Sequence, residues 1–393
     1  KMLKAYKYRI YPTKSQRQII EKAFGCVRFY WNNALEIKLK ALERGEKIPQ
    51  VLPSKLKKEY EFLREIDSLA LANAQLQLEK AIKDWLNKKT EKPKFKRKKD
   101  KQTYTTNNVN GSISVDFERE LIKLPKLGYV KAKLHRVFEG TIRSATIRNT
   151  KTGKYFVSIL VEEDVKPLPP KNKICAIDVG LKHFATICYS DGYSEKVENP
   201  RYLVKTEKRV AREQRKLSRK QKGSKNYEKQ RLKVAKLHEK VKNQREDFLH
   251  KLSRRIVSEN QAIILEDLNV KSLFSGNLSK HIQDSSWRKF FEYLSYKALW
   301  YGRELIFADR FYPSSKTCHV CGYKNQELKL SDRKWVCPVC STRHDRDINA
   351  GKNLLLYGIA HLTSGRVGPT RSYACGGANR SVEAGSSHFY KWE

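Results

Sequence analysis

Two C-x2-C pairs, Cys318/Cys321 and Cys337/Cys340, stand fifteen residues apart in the C-terminal third of the chain. Each pair turns two thiolates toward one point, and two pairs complete the tetrahedral site that Zn2+ prefers. Four thiolates leave no open coordination position, so the spacing predicts one structural zinc ion and not a catalytic one. Gly322 and Pro338 suit the tight turns such pairs need. His319 and His344 lie nearby, but a fifth ligand is not required. The remaining cysteines, Cys26, Cys175, Cys188 and Cys375, read as small core or surface residues.

A second constellation is acidic. Asp178 ends an apolar run in AIDVG, and Glu266 ends another in IILEDL. Asp345 and Asp347 lie together in HDRDINAGKN at the start of a helix, where either can serve as N-cap. An ionised carboxylate at the end of a buried strand is costly unless a cation compensates it. Glu266 is chosen over its neighbour Asp267 because it directly follows the apolar run; Asp267 then caps or supports. Singly, each acid also reads as an ordinary strand-end or helix cap. Jointly, acids from three distant segments predict a site for two Mg2+ ions, since carboxylate oxygens are the hard ligands this ion takes. Such a pair of ions, about 3.5–4 Å apart, serves phosphodiester hydrolysis at both the attacking and the leaving oxygen. Gly180 beside Asp178 permits close approach of a substrate.

The charge names the substrate class. The chain of 393 residues carries 82 Lys+Arg against 42 Asp+Glu, a net charge of +40. Nucleic acid is the partner that neutralises such a surplus, each contacted phosphate releasing a counterion. No segment approaches the roughly 20 apolar residues of a membrane span, and no secretory signal opens the sequence. Paired cysteines without such a signal point to metal binding in a reducing, cytoplasmic compartment.

Hydrophobic periodicity gives the elements that must hold these residues. A short basic strand, Leu3 to Ile10, precedes a helix whose Thr13 and Gln16 form a capping-box pattern. Further helices are predicted after Ser54 and from Asp67 to Leu86, followed by a basic stretch from Lys92 to Lys101. Alternating, turn-rich sequence from Thr103 to Val165 predicts strands, with a hairpin joined through Thr152-Gly153. Strands at Ile174–Val179 and Phe184–Tyr189, then one from Tyr193, lead into two long basic helices broken at Gly223-Ser224. A buried strand at Ala262–Leu265, a helix at Ser286–Arg303 and a strand at Glu304–Ala308 precede the cysteine module and a last helix near Asp347.

Several of these segments resemble one family. AIDVGLKHFAT, ILEDLNV, SSKTCHVCG, CPVC and HDRDINAGKN, with KYRIYPTKSQ and FYWNNAL nearer the N-terminus, are similar to TnpB, a transposon-encoded family related to type V CRISPR effectors. The resemblance spans nearly the whole chain. It implies an α/β multidomain protein: an RNase H-like (RuvC-type) nuclease domain at residues 172–310 and 345–362, with a zinc ribbon inserted at 311–344. It further implies a β-barrel-like wedge domain at 1–12 and 102–168, with a helical recognition domain inserted at 13–101. The tail at 363–393, rich in Gly and Ser, is expected to lack order. Asp178, Glu266 and Asp347 become the catalytic acids, Asp347 taking precedence over Asp345 because the family places an Asp two residues before Asn-Ala. Gly351 departs from the commoner Ala-Ala of that motif, at a cost of about 1 kcal/mol or less.

The function so implied is RNA-guided cleavage of double-stranded DNA beside a short flanking motif. The guide RNA derives from the transposon end, and the protein acts as a monomeric ribonucleoprotein that joins the nucleoid when bound. The clusters Lys92–Lys101 (Lys92, Lys94, Lys96 and Arg97 among them) and Lys205–Arg231 would follow the heteroduplex backbone. Phe95, Tyr104 and Tyr227 stand beside charge where a base can stack. Asn73, Gln75 and Gln77 are candidates for reading adenine edges in the flanking motif. The alternatives are a guided DNA-binding regulator without nuclease activity, and a transposase accessory protein; the intact acid trio argues against the first.

Overall fold

A computed structural model describes residues 1–266, 286–309, 311–329 and 331–364. Asp267, Cys375 and nearly all of the 363–393 tail lie outside the described residues. Two compact units result, one formed by Lys1–Val165 and the other beginning at Lys166.

The first unit is a sheet with helices packed on it. Strand β1 (Met2–Tyr11) is followed by helices α1 (Lys14–Glu43), α2 (Pro53–Glu59) and α3 (Ser68–Leu86). Strands β2 (Thr103–Asn107), β3 (Ser114–Asp116), β4 (Leu121–Leu124), β5 (Gly128–Lys133), β6 (Thr141–Asn149) and β7 (Tyr155–Glu163) complete it. Their order is β2-β6-β7-β1-β5-β4-β3. The first strand is thus central, pairing antiparallel with β7 from Met2↔Glu163 to Ile10↔Tyr155 and with β5 at Arg9↔Lys133.

Helix α1 begins at a capping box: Gln16 N donates to Thr13 Oγ1 at 3.3 Å and Thr13 N to Gln16 Oε1 at 2.9 Å. The same Gln16 side chain donates to the Leu127 and Tyr129 carbonyls, so the cap also fastens the helix to the β4–β5 turn. One continuous core joins helices and sheet, including Phe24, Tyr30, Leu35, Leu71, Ile122, Ile147 and Val157.

The second unit is built on a five-stranded sheet ordered β10-β9-β8-β11-β12. These are β8 (Ile174–Val179), β9 (His183–Tyr189), β10 (Ser194–Glu198), β11 (Ala262–Glu266) and β12 (Glu304–Ala308). β8, β9 and β10 are antiparallel neighbours, whereas β11 runs parallel to both β8 and β12. Between β10 and β11 come helices α4 (Tyr202–Ser218) and α5 (Lys225–Glu259); α6 (Trp287–Tyr301) precedes β12. A two-stranded ribbon, β13 (Lys334–Val336) and β14 (Arg343–Asp345), leads into α7 (Arg346–Thr363).

Strand alternation sorts the side chains into two layers. Cys175, Ile177, Ile263 and Leu265 pack with Leu249, Leu252 and Ile256 of α5 and Phe290 and Leu294 of α6. Ala176, Ile264, Ile306 and Ala308 face the other way, against Leu354 and Leu355 of α7.

Glycine lets α7 lie close on that second face. A Cβ added at Gly358 would stand 2.0 Å from Ile264 Cγ1, and one at Gly351 would stand 2.6 Å from Cys188 Sγ. The glycine that departs from the family's Ala-Ala therefore fills a place where this packing leaves no room for a methyl. Gly358→Ala is expected to destabilise the unit by about 1–3 kcal/mol through overpacking, although alanine is the better helix former by ~1 kcal/mol. Chemical unfolding measures this; wild-type stability in the variant would mean that α7 does not press on β11.

Candidate active site and zinc module

The acids reach their places through strand parity. Asp178 is two residues beyond Ala176, and Glu266 two beyond Ile264, so both point to the α7 face. The parallel register pairs Leu265 with Ile177, which puts Glu266 and Asp178 side by side at the C-terminal strand ends. In open α/β sheets that edge is where ligands bind. Both carboxylates are half-buried.

The start of α7 separates the two aspartates that sequence left open. Asp345 is the N-cap, accepting from the backbone N–H groups of Asp347 and Ile348 at 3.1 and 3.2 Å. Its other oxygen takes a 2.7 Å ion pair from Lys196. Burial works against its charge, but Lys196 and the two N–H groups outweigh that and hold the Asp345 carboxyl below its usual range. Asp345 is thereby committed to capping. Asp347, in the first turn, has Arg333 at 3.8 Å and couples instead to Asp178.

Burial pushes the Asp178 carboxyl well above the ordinary carboxylate range, and the charges of Glu266 and Asp347 push it further; Arg346 offsets only part of this. Three acids from three distant segments thus share one electrostatic neighbourhood. Their carboxylates are gathered less tightly than the thiols: among the described residues, the four cysteines alone form a group with all ligand atoms within 4.8 Å of one another. A pair of ions about 3.5–4 Å apart spreads its ligands more widely than a single ion does. Mutual repulsion of half-buried carboxylates is the condition a divalent cation relieves, so the donor set fits Mg2+.

The cysteine module is built as two matching knuckles. Gly322 N donates to Cys318 O and Ser341 N to Cys337 O, both at 2.9 Å. Gly322 and Ser341 both take positive φ, +77° and +57°, which closes each turn. Cys318 Sγ lies 3.6 Å from Cys340 Sγ, and Cys321 Sγ 3.5 Å from Cys337 Sγ. These separations far exceed a disulfide bond and approach the ~3.8 Å edge of a tetrahedron with Zn–S bonds of about 2.3 Å. The four cysteines fit a structural zinc. His344 is buried with Nε2 at 3.1 Å from Cys318 Sγ, placed to hydrogen-bond a ligand sulfur.

Sequence reading assigned no role to Asn349 and Asn353, four residues apart on α7 and both buried. Asn349 Nδ2 donates to Thr317 O at 2.7 Å, while its Oδ1 accepts from His319 N at 3.1 Å. Asn353 Nδ2 donates to the carbonyls of Ser314 and Thr317, at 2.8 and 2.6 Å. Backbone on both sides of Cys318 is therefore clamped to the helix that carries Asp347. The only sequence signal was the i, i+4 spacing of two amides beside an acid.

The other candidates fall as follows. Asn73 is buried, its Nδ2 donating to Leu69 O, and Gln75 and Gln77 are half-buried on α3. Lys92 lies over the Trp85 ring, Lys96 over Trp31, Lys94 beside Glu91, and Arg97 beside Asp100. Tyr104 is a core residue, edge-on to Phe24 at 5.8 Å.

Known proteins can now be set beside this geometry. Residues 157–276 match a family described as "Probable transposase", and 287–354 one described as "Cas12f1-like, TNB domain". Residues 2–47 match a "Helix-turn-helix domain"; here they form β1 and the single long helix α1. A Streptomyces pristinaespiralis protein named "Putative RNA-guided DNA endonuclease" is 36% identical, covering 92% of this chain and 91% of its own length. This chain belongs to the TnpB family. Escherichia coli K12 InsQ, similarly named, is 30% identical over 93% of this chain and 95% of its own. A mimivirus "TnpB-like protein L770" is 26% identical over 90% of this TnpB-family chain. The fold is similar to that in "Cryo-EM structure of the Cas12f1-sgRNA-target DNA complex", with a TM-score of 0.55 at 13% identity, covering 90% of this chain and 98% of that one. Among the described residues, no helix is long and apolar enough to cross a membrane.

Proposed function

We propose that this TnpB-family protein is an RNA-guided DNA endonuclease whose second unit is an RNase H-like (RuvC-type) nuclease with a zinc ribbon inserted before α7. The observation that carries the reading is that Glu266 and Asp178 stand side by side at the C-terminal ends of parallel strands, with Asp347 of α7 near enough to raise the Asp178 carboxyl. Asp178, Glu266 and Asp347 hold two Mg2+ ions there, which supply the positive charge that phosphodiester hydrolysis needs. The three side chains fix where that charge sits. Lys196 keeps Asp345 on the helix cap and out of the metal set. Half-burial of the acids limits competing water.

The four cysteines and their zinc support α7 through Asn349 and Asn353. The first unit, with its lysine-rich segment at 92–101, binds the transposon-derived guide RNA and the double-stranded target. The assembly works as a monomeric ribonucleoprotein in a prokaryotic cytoplasm.

The test is purification from cells carrying the native locus, sequencing of the bound RNA, and cleavage of a plasmid matching that RNA. A discrete co-purifying RNA with guide-dependent, Mg2+-dependent cuts is expected. Guide-dependent binding without cutting would establish the regulator reading instead.

A further inference from the structure

A cleft in the first unit carries features that backbone binding does not need. It has a volume of about 510 Å3 and lies between α1 and the basic segment that follows α3. Phe29, Phe62 and Phe95 line it, with Arg28 and Asn33. Phe29 is held edge-on by Tyr60 and Phe62, at ring separations of 4.7 and 5.1 Å. Its floor is open at Gly25, where a Cβ would meet nothing within 4 Å.

Phe95 is the unusual member. It is 50% exposed, yet the backbone on either side of it is fixed. Trp31 Nε1 donates to Lys94 O at 3.1 Å, Asn32 Nδ2 to Lys96 O at 2.9 Å, and Lys96 N to Asn32 Oδ1 at 2.8 Å. Three hydrogen bonds thus hold an aromatic ring at the cleft while its own burial contributes little. A scattered exposed phenylalanine needs no explanation. One anchored beside two further rings, within a run of lysines, forms a preset stacking surface with cations for the adjoining phosphates.

We propose that this cleft receives one unstacked nucleobase of the bound guide RNA, stacked on Phe95. Single-stranded RNA exposes bases in loops and at ends without the cost of opening a duplex, which favours RNA over target DNA. The inference rests on the guide-RNA reading above.

The test uses the RNA that co-purifies with the full chain, resynthesised and titrated against wild type, Phe95→Ala, Phe95→Tyr and Lys94→Ala over a range of salt. Phe95→Ala is expected to weaken binding roughly 5- to 150-fold, the worth of one base stack, with the salt slope unchanged. Phe95→Tyr keeps wild-type affinity, and Lys94→Ala lowers the slope. Wild-type RNA affinity in Phe95→Ala overturns the proposal. So does a loss confined to target-DNA binding by the guide-loaded complex, which would give the cleft to DNA. A wild-type protein that carries no RNA at all would fail the guide-RNA reading itself, a result distinct from either.

Discussion

Asp178→Ala is expected to abolish DNA cleavage and leave guide-RNA affinity unchanged, because it removes a proposed metal ligand and no phosphate contact. The loss should exceed the roughly 10–100-fold that removal of an outer-shell partner costs at a metal site. Cleavage of a matched plasmid by purified ribonucleoprotein measures it, and cutting at the wild-type rate would sink the assignment. Electrostatics adds a second readout that needs no cleavage. Burial and the charges of Glu266 and Asp347 raise the Asp178 carboxyl in the folded state. For an acid so shifted, the folded state binds its proton more tightly than the unfolded chain does. That stabilisation is complete below the unfolded value of about 3.9 and is lost as pH rises through the higher folded value. The charged form of Asp178 is therefore costly in the metal-free protein.

Asp178→Asn keeps the shape and removes the charge, so its metal-free melting temperature at pH 7 should exceed that of wild type. Mg2+ should narrow the gap by stabilising wild type more. A metal-free Asp178→Asn less stable than wild type would mean that the three acids do not repel one another. The same comparison with Glu266 and Asp267 substituted separately identifies the second ligand; loss of cutting in Asp267→Ala alone would move the role to Asp267.

The second large effect concerns zinc. Elemental analysis of the folded protein should find one zinc per chain, and Cys337→Ser should lose it. Cys337 is fully buried and shares its module core with Cys318, Leu328 and Trp335, a core too small to persist without the ion. Structural zinc contributes on the order of 10–16 kcal/mol in small zinc-dependent folds, so limited proteolysis should open the segment between Phe311 and His344. Cleavage should fall with the zinc although Asp178, Glu266 and Asp347 are intact. The Asn349 and Asn353 clamps on Thr317 and Ser314 would then have lost their rigid partner. A zinc-free Cys337→Ser protein that resists protease and cuts normally would reject both the ribbon and its link to α7.

Much of this molecule is written in local sequence. The capping box at Thr13 and Gln16 forms as its spacing requires, and the Asp67 and Ser224 caps of α3 and α5, which the structure adds, are equally local. The hairpin of β6 and β7 and the two cysteine knuckles do likewise. Each is a contact between residues close in the chain, where side-chain chemistry and turn geometry suffice. The four cysteines belong to the same class, because C-x2-C spacing fixes two donors before any tertiary contact exists.

The acids do not. Asp345 and Asp347 are equivalent as sequence, each an acid at a helix start. Lys196, 149 residues from Asp345, made one of them a cap. Gly351 read as a small cost to α7, and only Cys188 of a neighbouring strand gave it a reason. Tyr104 and Phe95 are both aromatic and near lysines, yet one is core and the other lines a cleft. The sequence by itself determined the strands, helices, knuckles and acidic residue types of this protein. The tertiary structure decided which acid meets which, because that depends on the parity and register of strands joined across almost the whole second unit, and no local pattern encodes a register between segments so far apart.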